Sequence, residues 1–312
     1  MFLPIISLLT GFILLMWSAD TFTDNGAKIA QIFNISPLVI GLLVFGFGTS
    51  APEILVSGLA AYDGHPEMSI GNAFGSNIFN IGLVLGITAI ILPITVEKSV
   101  LKKEWLFLFL STLIAGFLLL DGFLSFTDGL VLLCLLLLFL INVFRESKKD
   151  NTIDTGNFEN NSHNNEKGRT WLLLIVSLVI LVSSARLVVW GGTSLAVSFG
   201  VSELMIGLTV VALGTSLPEL AVSISSALKK QHQMVIGNII GSNLFNTLGV
   251  LAIPGLILPF QIPPEVMSRD YFFMLMFTLL VVILSMRLKI SRFGGFILLT
   301  ALAIYLYQLF WI

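Results

Sequence analysis

Charge is scarce in this chain. Of its 312 residues, 11% are Asp, Glu, Lys or Arg, and 56% are apolar. A soluble domain of this size carries about a quarter charged residues, so a water-soluble globule is excluded and a polytopic membrane protein is expected. Histidine is scarce too. His65, His163 and His232 all fall outside the long apolar runs, so no imidazole is available there as a general base or borderline-metal ligand. Cysteine occurs once, as Cys134 in VLLCLLLLFL. One thiol makes no intrachain disulfide, and in such a run it faces lipid or packs. The basic residues form no stripe, so nucleic acid is not an expected partner. The first apolar stretch lacks a basic leader, and a cut after Ala19 would put bulky Trp17 where a small residue is needed. Residues 3–19 therefore read as a retained helix and not as a signal peptide.

What the chain does have is apolar runs. They cover roughly 3–19, 36–61, 68–92, 105–120, 126–144, 171–190, 202–228, 235–259, 270–286 and 294–311. A helix needs about 20 residues to cross a bilayer, so these runs predict an all-α integral membrane protein with ten transmembrane helices. The connections are short except for the polar, Asn-rich stretch 145–169, which reads as a flexible linker. With both termini outside, the inner loops hold 14 of the 16 basic residues, and only Arg186 and Arg269 fall outside. That split predicts a cytoplasmic linker.

The chain also repeats itself. Shifted by 166 residues, 41–86 matches 207–252 at 22 of 46 positions without a gap. GTSAPE (48–53) answers GTSLPE (214–219), and GNAFGSNIFN (71–80) answers GNIIGSNLFN (237–246). Five predicted spans separate corresponding helices. Five is odd, so the second copy enters the membrane upside down relative to the first, as in many secondary transporters. The expected organisation is a first five-helix repeat over 1–144, the linker 145–169, and an inverted second repeat over 170–312.

The repeated phrases are rich in oxygen. Gly46, Gly48 and Pro52 weaken the helix, so carbonyls near Gly46 and, in the second copy, Ala212 are expected to lose intrahelical partners. In lipid an unpaired carbonyl costs several kcal/mol unless protein, water or an ion answers it. Thr49 and Glu53 are four apart and share a face. Asn72, Ser76 and Asn80 add further oxygens at steps of four. The candidate set is Thr49, Ser50, Glu53, Ser76 and Asn80 with Thr215, Ser216, Glu219, Ser242 and Asn246, plus the carbonyls near Gly46 and Ala212. Hard oxygen donors without sulfur or imidazole suit Ca2+ or Na+. Two carboxylates balance one Ca2+ or two Na+, and a midspan carboxylate is functional by default. Gly71, Gly75, Gly237 and Gly241 read also as close helix packing, and Asn72 and Asn238 as bridges between neighbouring helices. Asn77 and Asn243 point about 100° away from the preceding serines and rank lower.

At these residues the chain resembles the cation/calcium antiporter superfamily, and within it the prokaryotic sodium/calcium exchangers. The resemblance implies Glu53 and Glu219 as central Ca2+ ligands. It implies Thr49, Ser50, Ser76, Thr215, Ser216 and Ser242 at flanking Na+ sites, with Asn80 and Asn246 completing the middle. Many members carry an acid where this chain has Asn80 or Asn246, which puts potassium dependence in doubt. The resemblance also implies that the first and sixth spans, here near 3–33 and 171–199, slide against a fixed core. Ca2+ and Na+ are the expected partners besides the lipid bilayer. No resident cofactor, no enzymatic activity and no obligate protein partner is expected. A proton-coupled or K+-dependent antiporter of Ca2+ or another divalent cation is the alternative. Two close carboxylates left empty repel each other, so protons should compete with the cations.

Overall fold

A computed structural model describes residues 2–150, 163–200 and 212–311. The helices used below are α1 (Phe2–Ile32), α2 (Pro37–Tyr62), α3 (Pro66–Ile91), α4 (Glu104–Leu118), α5 (Phe126–Asp150), α6 (His163–Ser198), α7 (Leu217–Leu228), α8 (His232–Ile257), α9 (Val266–Ser285) and α10 (Arg292–Trp311). Among the described residues eight of these are long and apolar enough to cross a membrane. The predicted span at 105–120 forms α4, whose 15 residues reach only about 22 Å. The predicted span at 202–228 is described only from Ala212 onward, so its first part lies outside the described residues.

Several boundaries differ from the sequence reading. The first apolar run ends near residue 19, but the helix continues to Ile32, in line with the span near 3–33 that the resemblance implies, because its polar second half packs against the rest of the protein with Phe22, Asn25 and Ile29 buried. Helix also enters the stretch read as a linker from both sides, through Asp150 and from His163. Residues 151–162 lie outside the described residues. Local chemistry starts the helices where turns end. Ser36 caps α2 by accepting from the Val39 amide at 3.3 Å, with Pro37 in the first turn.

Helix α8 lies at the centre, with 89% of its apolar window buried, followed by α3 at 72%. Their side chains anchor the larger core, with Phe74, Ile78, Ile240 and Leu248 fully enclosed. Helices α1 and α6 lie together at one flank and form a second, smaller core around Phe22, Phe45 and Leu181. Gly11 and Gly191 permit that pairing, since a Cβ at either would fall 2.7–2.8 Å from the facing helix.

The 166-residue shift reappears in the backbone. All six described residues with positive φ fall into matched pairs: Asn34 with Gly200, Gly64 with Lys230, and Gly122 with Leu288. Two short strand pairs extend the all-α plan. β1 (Ile94–Thr95) pairs antiparallel with β4 (Lys289–Ile290), and β2 (Phe123–Leu124) with β3 (Phe260–Gln261). Shifting β1 gives β3 and shifting β2 gives β4, so each half lends one strand to each pair. The Val96 amide donates to Leu288 O at 3.0 Å, and its counterpart Ile262 donates to Gly122 O at 2.8 Å.

Candidate cation site

The repeated phrase puts its polar residues on one face of α2. Thr49, Ser50, Glu53 and Ser57 are buried there, while Phe47, Leu55, Val56 and Leu59 face outward. The helix passes through Pro52 without interruption, so the expected weakening does not break it. Proline removes one amide and leaves the neighbouring hydrogen bonds intact, and packing against α3 and α8 holds the turn. The carbonyls near Gly46 are likewise met by hydroxyls. Thr49 Oγ1 donates to Phe45 O at 2.9 Å, and Ser242 Oγ lies 3.5 Å from Gly46 O. The second copy does break. Ala212–Thr215 is helical, Ser216 leaves helical geometry at φ −90° and ψ 2°, and α7 starts beyond it with Pro218 in its first turn.

Two helices must touch for the site to form. A Cβ on Gly46 would lie 2.8 Å from Gly241 Cα, and one on Gly41 would lie 2.9 Å from Gly237 Cα. Helices α2 and α8 therefore meet backbone to backbone, as read from the spacing of Gly237 and Gly241. That approach brings Thr49 Oγ1 to 3.2 Å from Ser242 Oγ, joining residues 193 apart in sequence.

Each asparagine turn meets the opposite glutamate's helix. A π-helical turn at Asn80–Leu85 packs on α7, which carries Glu219, and one at Phe245–Val250 packs on α2, which carries Glu53. Such wide turns recur at functional sites because they turn side chains and backbone out of register. Asn72 Nδ2 donates to Ser57 Oγ at 3.0 Å and to Glu53 O at 3.4 Å; Asn238 Nδ2 donates to Ser223 Oγ at 3.0 Å and to Glu219 O at 3.3 Å. Both amides bridge helices, as expected, and both fix the backbone of a glutamate. The sequence reading noted Ser57 and Ser223 as matches and missed their part in these bridges.

The candidate residues sort into two groups. Ser50, Glu53, Asn80, Ser216, Glu219 and Asn246 are at most 2% exposed, and each carries a buried polar atom with no hydrogen-bond partner in the protein. Thr49, Ser76 and Ser242 are hydrogen-bonded, Ser76 to Asn72 Oδ1 at 3.4 Å, and Thr215 also makes a polar or electrostatic contact. Burying an unpaired polar group costs about 1–3 kcal/mol, and more if it is charged. Four of these are neutral and two are carboxylates, a combination that suits a ligand with positive charge. No cluster of three or more His, Cys, Asp or Glu side chains exists among the described residues, so a cation held here would take most of its ligands from neutral oxygens. A cavity of about 420 Å³ lined by Glu53, Asn72, Thr215 and Arg186 leads to this set. Asn77 turns away to Thr247 Oγ1 at 2.7 Å, as its angle predicted. Asn243 is buried with its amide unpaired, because the residue matching Thr247 in the other half is Ile81.

The chain matches the sodium/calcium exchanger protein family over residues 3–145 and 169–311. It belongs to that family. CaxA of Alkalimonas amylolytica is 41% identical over 317 residues, covering 99% of both chains. The sodium/calcium exchanger MaX1 of Methanosarcina acetivorans is 27% identical over 98% of both. Among solved structures, the sodium-calcium exchanger NCX_Mj, soaked with zero Na+ and Ca2+, superposes with a TM-score of 0.85 at 38% identity over 99% of each chain. Family membership and the long apolar helices make this a multi-pass integral membrane protein.

Proposed function

We propose that the chain exchanges Na+ for Ca2+ across the membrane by alternating access. The observation that carries this reading is the group of six buried polar side chains with unpaired atoms, Glu53 and Glu219 among them. In water each would be hydrated, and in lipid only a cation repays both carboxylates at once. Glu53 and Glu219 bind the divalent ion, with Asn80 and Asn246 beside them. Thr49, Ser50, Ser76, Thr215, Ser216, Ser242 and the carbonyls near Gly46 and Ala212 serve the monovalent ions. No resident cofactor takes part, since the bound ions are the cargo. Ten spans in two inverted repeats, 1–144 and 170–312, surround the site, with both termini outside and residues 145–169 cytoplasmic. The matched strand pairs and matched positive-φ residues support the repeat, and the sorting of basic residues supports the orientation. The pair α1 and α6, with its separate small core, is the moving body.

The test is radiolabelled Ca2+ uptake into proteoliposomes loaded with Na+ and diluted into Na+-free buffer. Parallel vesicles carry K+ or a proton gradient instead. Uptake is expected with internal Na+ alone and is expected to be lost in Glu53→Gln. Uptake driven by the proton gradient alone would move the protein to proton-coupled exchange.

A further inference from the structure

One end of the molecule is clasped by charge. Lys229 Nζ, just past α7, lies 2.7 Å from both Asp20 Oδ1 and Asp24 Oδ1 on α1. It also donates to Asp20 O at 2.9 Å, and Ser225 Oγ donates to Asp20 Oδ1 at 3.1 Å. The 166-residue shift carries Asp20 onto Arg186 of α6, and Asp63, just past α2, onto Lys229. The opposite end thus holds the same two positions with both signs reversed. The backbone obeys the repeat at both ends, in the strand pairs, the positive-φ residues and the asparagine bridges. The ion pair does not. Arg186 is exposed and lines the 420 Å³ cavity beside Glu53, Asp63 is exposed, and neither makes an ion pair among the described residues.

We propose that Arg186 and Asp63 form the counterpart of the Lys229 clasp once the α1–α6 pair shifts toward α2, so that the two ends are closed in turn by ion pairs of opposite polarity. This rests on the alternating-access reading above. The Lys229 clasp joins α1 to α7 and holds the cavity on the Arg186 side open. When it parts, α6 carries Arg186 toward the end of α2 and closes the path to Glu53. Neither pair includes a residue of the proposed cation-binding set, so each acts on the balance between the two states.

The experiment uses the full chain with Cys134→Ser and a reporter, Val182→Cys, in the cavity wall. A charged thiol reagent labels the detergent-solubilised protein, and Na+-driven Ca2+ uptake is measured on the same variants in vesicles. Lys229→Gln is expected to slow labelling about two- to five-fold, the range of a partly exposed ion pair. Adding Arg186→Gln or, separately, Asp63→Asn is expected to restore the rate. Labelling that stays slow in both double variants overturns the proposal, as does unchanged labelling in Lys229→Gln. Should Lys229→Gln fail to fold, Asp20→Asn removes the same contact. Absence of Na+-driven uptake in the unsubstituted protein would fault the exchange reading, whereas normal uptake there with unresponsive labelling in the reporter faults the clasp alone.

Discussion

Glu53 and Glu219 are buried acids without a basic partner among the described residues, each held in place through its own backbone by an asparagine of the next helix. A proton and a metal ion satisfy the same carboxylate oxygens, so they exclude each other. Ca2+ uptake is therefore expected to weaken as the medium is acidified; an affinity unchanged down to about pH 5, near where free glutamate begins to protonate, would contradict the site. Asn243 is the contrasting case, a buried amide with no hydrogen-bond partner that lies about 100° around the helix from Ser242 of the proposed site. Asn243→Leu is expected to raise thermal stability by about 1 kcal/mol, because an unpaired buried amide is replaced by an apolar group of similar volume, and to leave Ca2+ uptake intact. Melting in detergent together with uptake separates these effects. The oxygen donors were legible as single residues because polar groups in an apolar run need a reason to be there. Which hydroxyls are already hydrogen-bonded was not legible: Thr49 meets Ser242 only because α2 and α8 touch.

Helix ends and crossings obey harder steric rules. Leu288 sits at φ 55°, where its counterpart Gly122 adopts φ 75°. A Cβ in that region costs about 1–2 kcal/mol, and Leu288 is only partly covered, with 42% of its surface exposed. Leu288→Gly is expected to raise the melting temperature, and a fall would show that its side chain contributes more packing than its exposure suggests. The same phrase, GTS-x-PE, gives a continuous helix in α2 and a broken one before α7. Sequence read locally predicts one outcome for both copies. Their packing differs, and proline's weakening of a helix is small enough for neighbours to decide the result.

The protein consists of a central body around α8 and α3 and a flanking pair, α1 with α6. β1 and β4 both belong to the central body, whereas the Lys229 clasp joins the pair to it. Thr95→Cys with Lys289→Cys joins directly opposed strand residues, and on oxidation in the Cys134→Ser protein it is expected to leave Ca2+ uptake largely intact. Asp20→Cys with Lys229→Cys is expected to stop uptake on oxidation and to recover it on reduction. Uptake lost equally in both would mean that the two bodies do not move separately.

The sequence by itself determined the membrane environment, the places of the apolar helices, the internal repeat and the oxygen chemistry of the site. Each depends on composition or spacing along the chain, and the cost of polar groups in lipid makes such patterns unambiguous. The tertiary structure decided where the repeated phrase breaks, which hydroxyls remain free beside the carboxylates and which end of the molecule is clasped. Those depend on contacts between residues more than a hundred positions apart, such as Asp20 with Lys229 and Gly46 with Gly241. Such contacts form only when the two halves pack together, and a one-dimensional pattern carries no record of which symmetric partner is engaged.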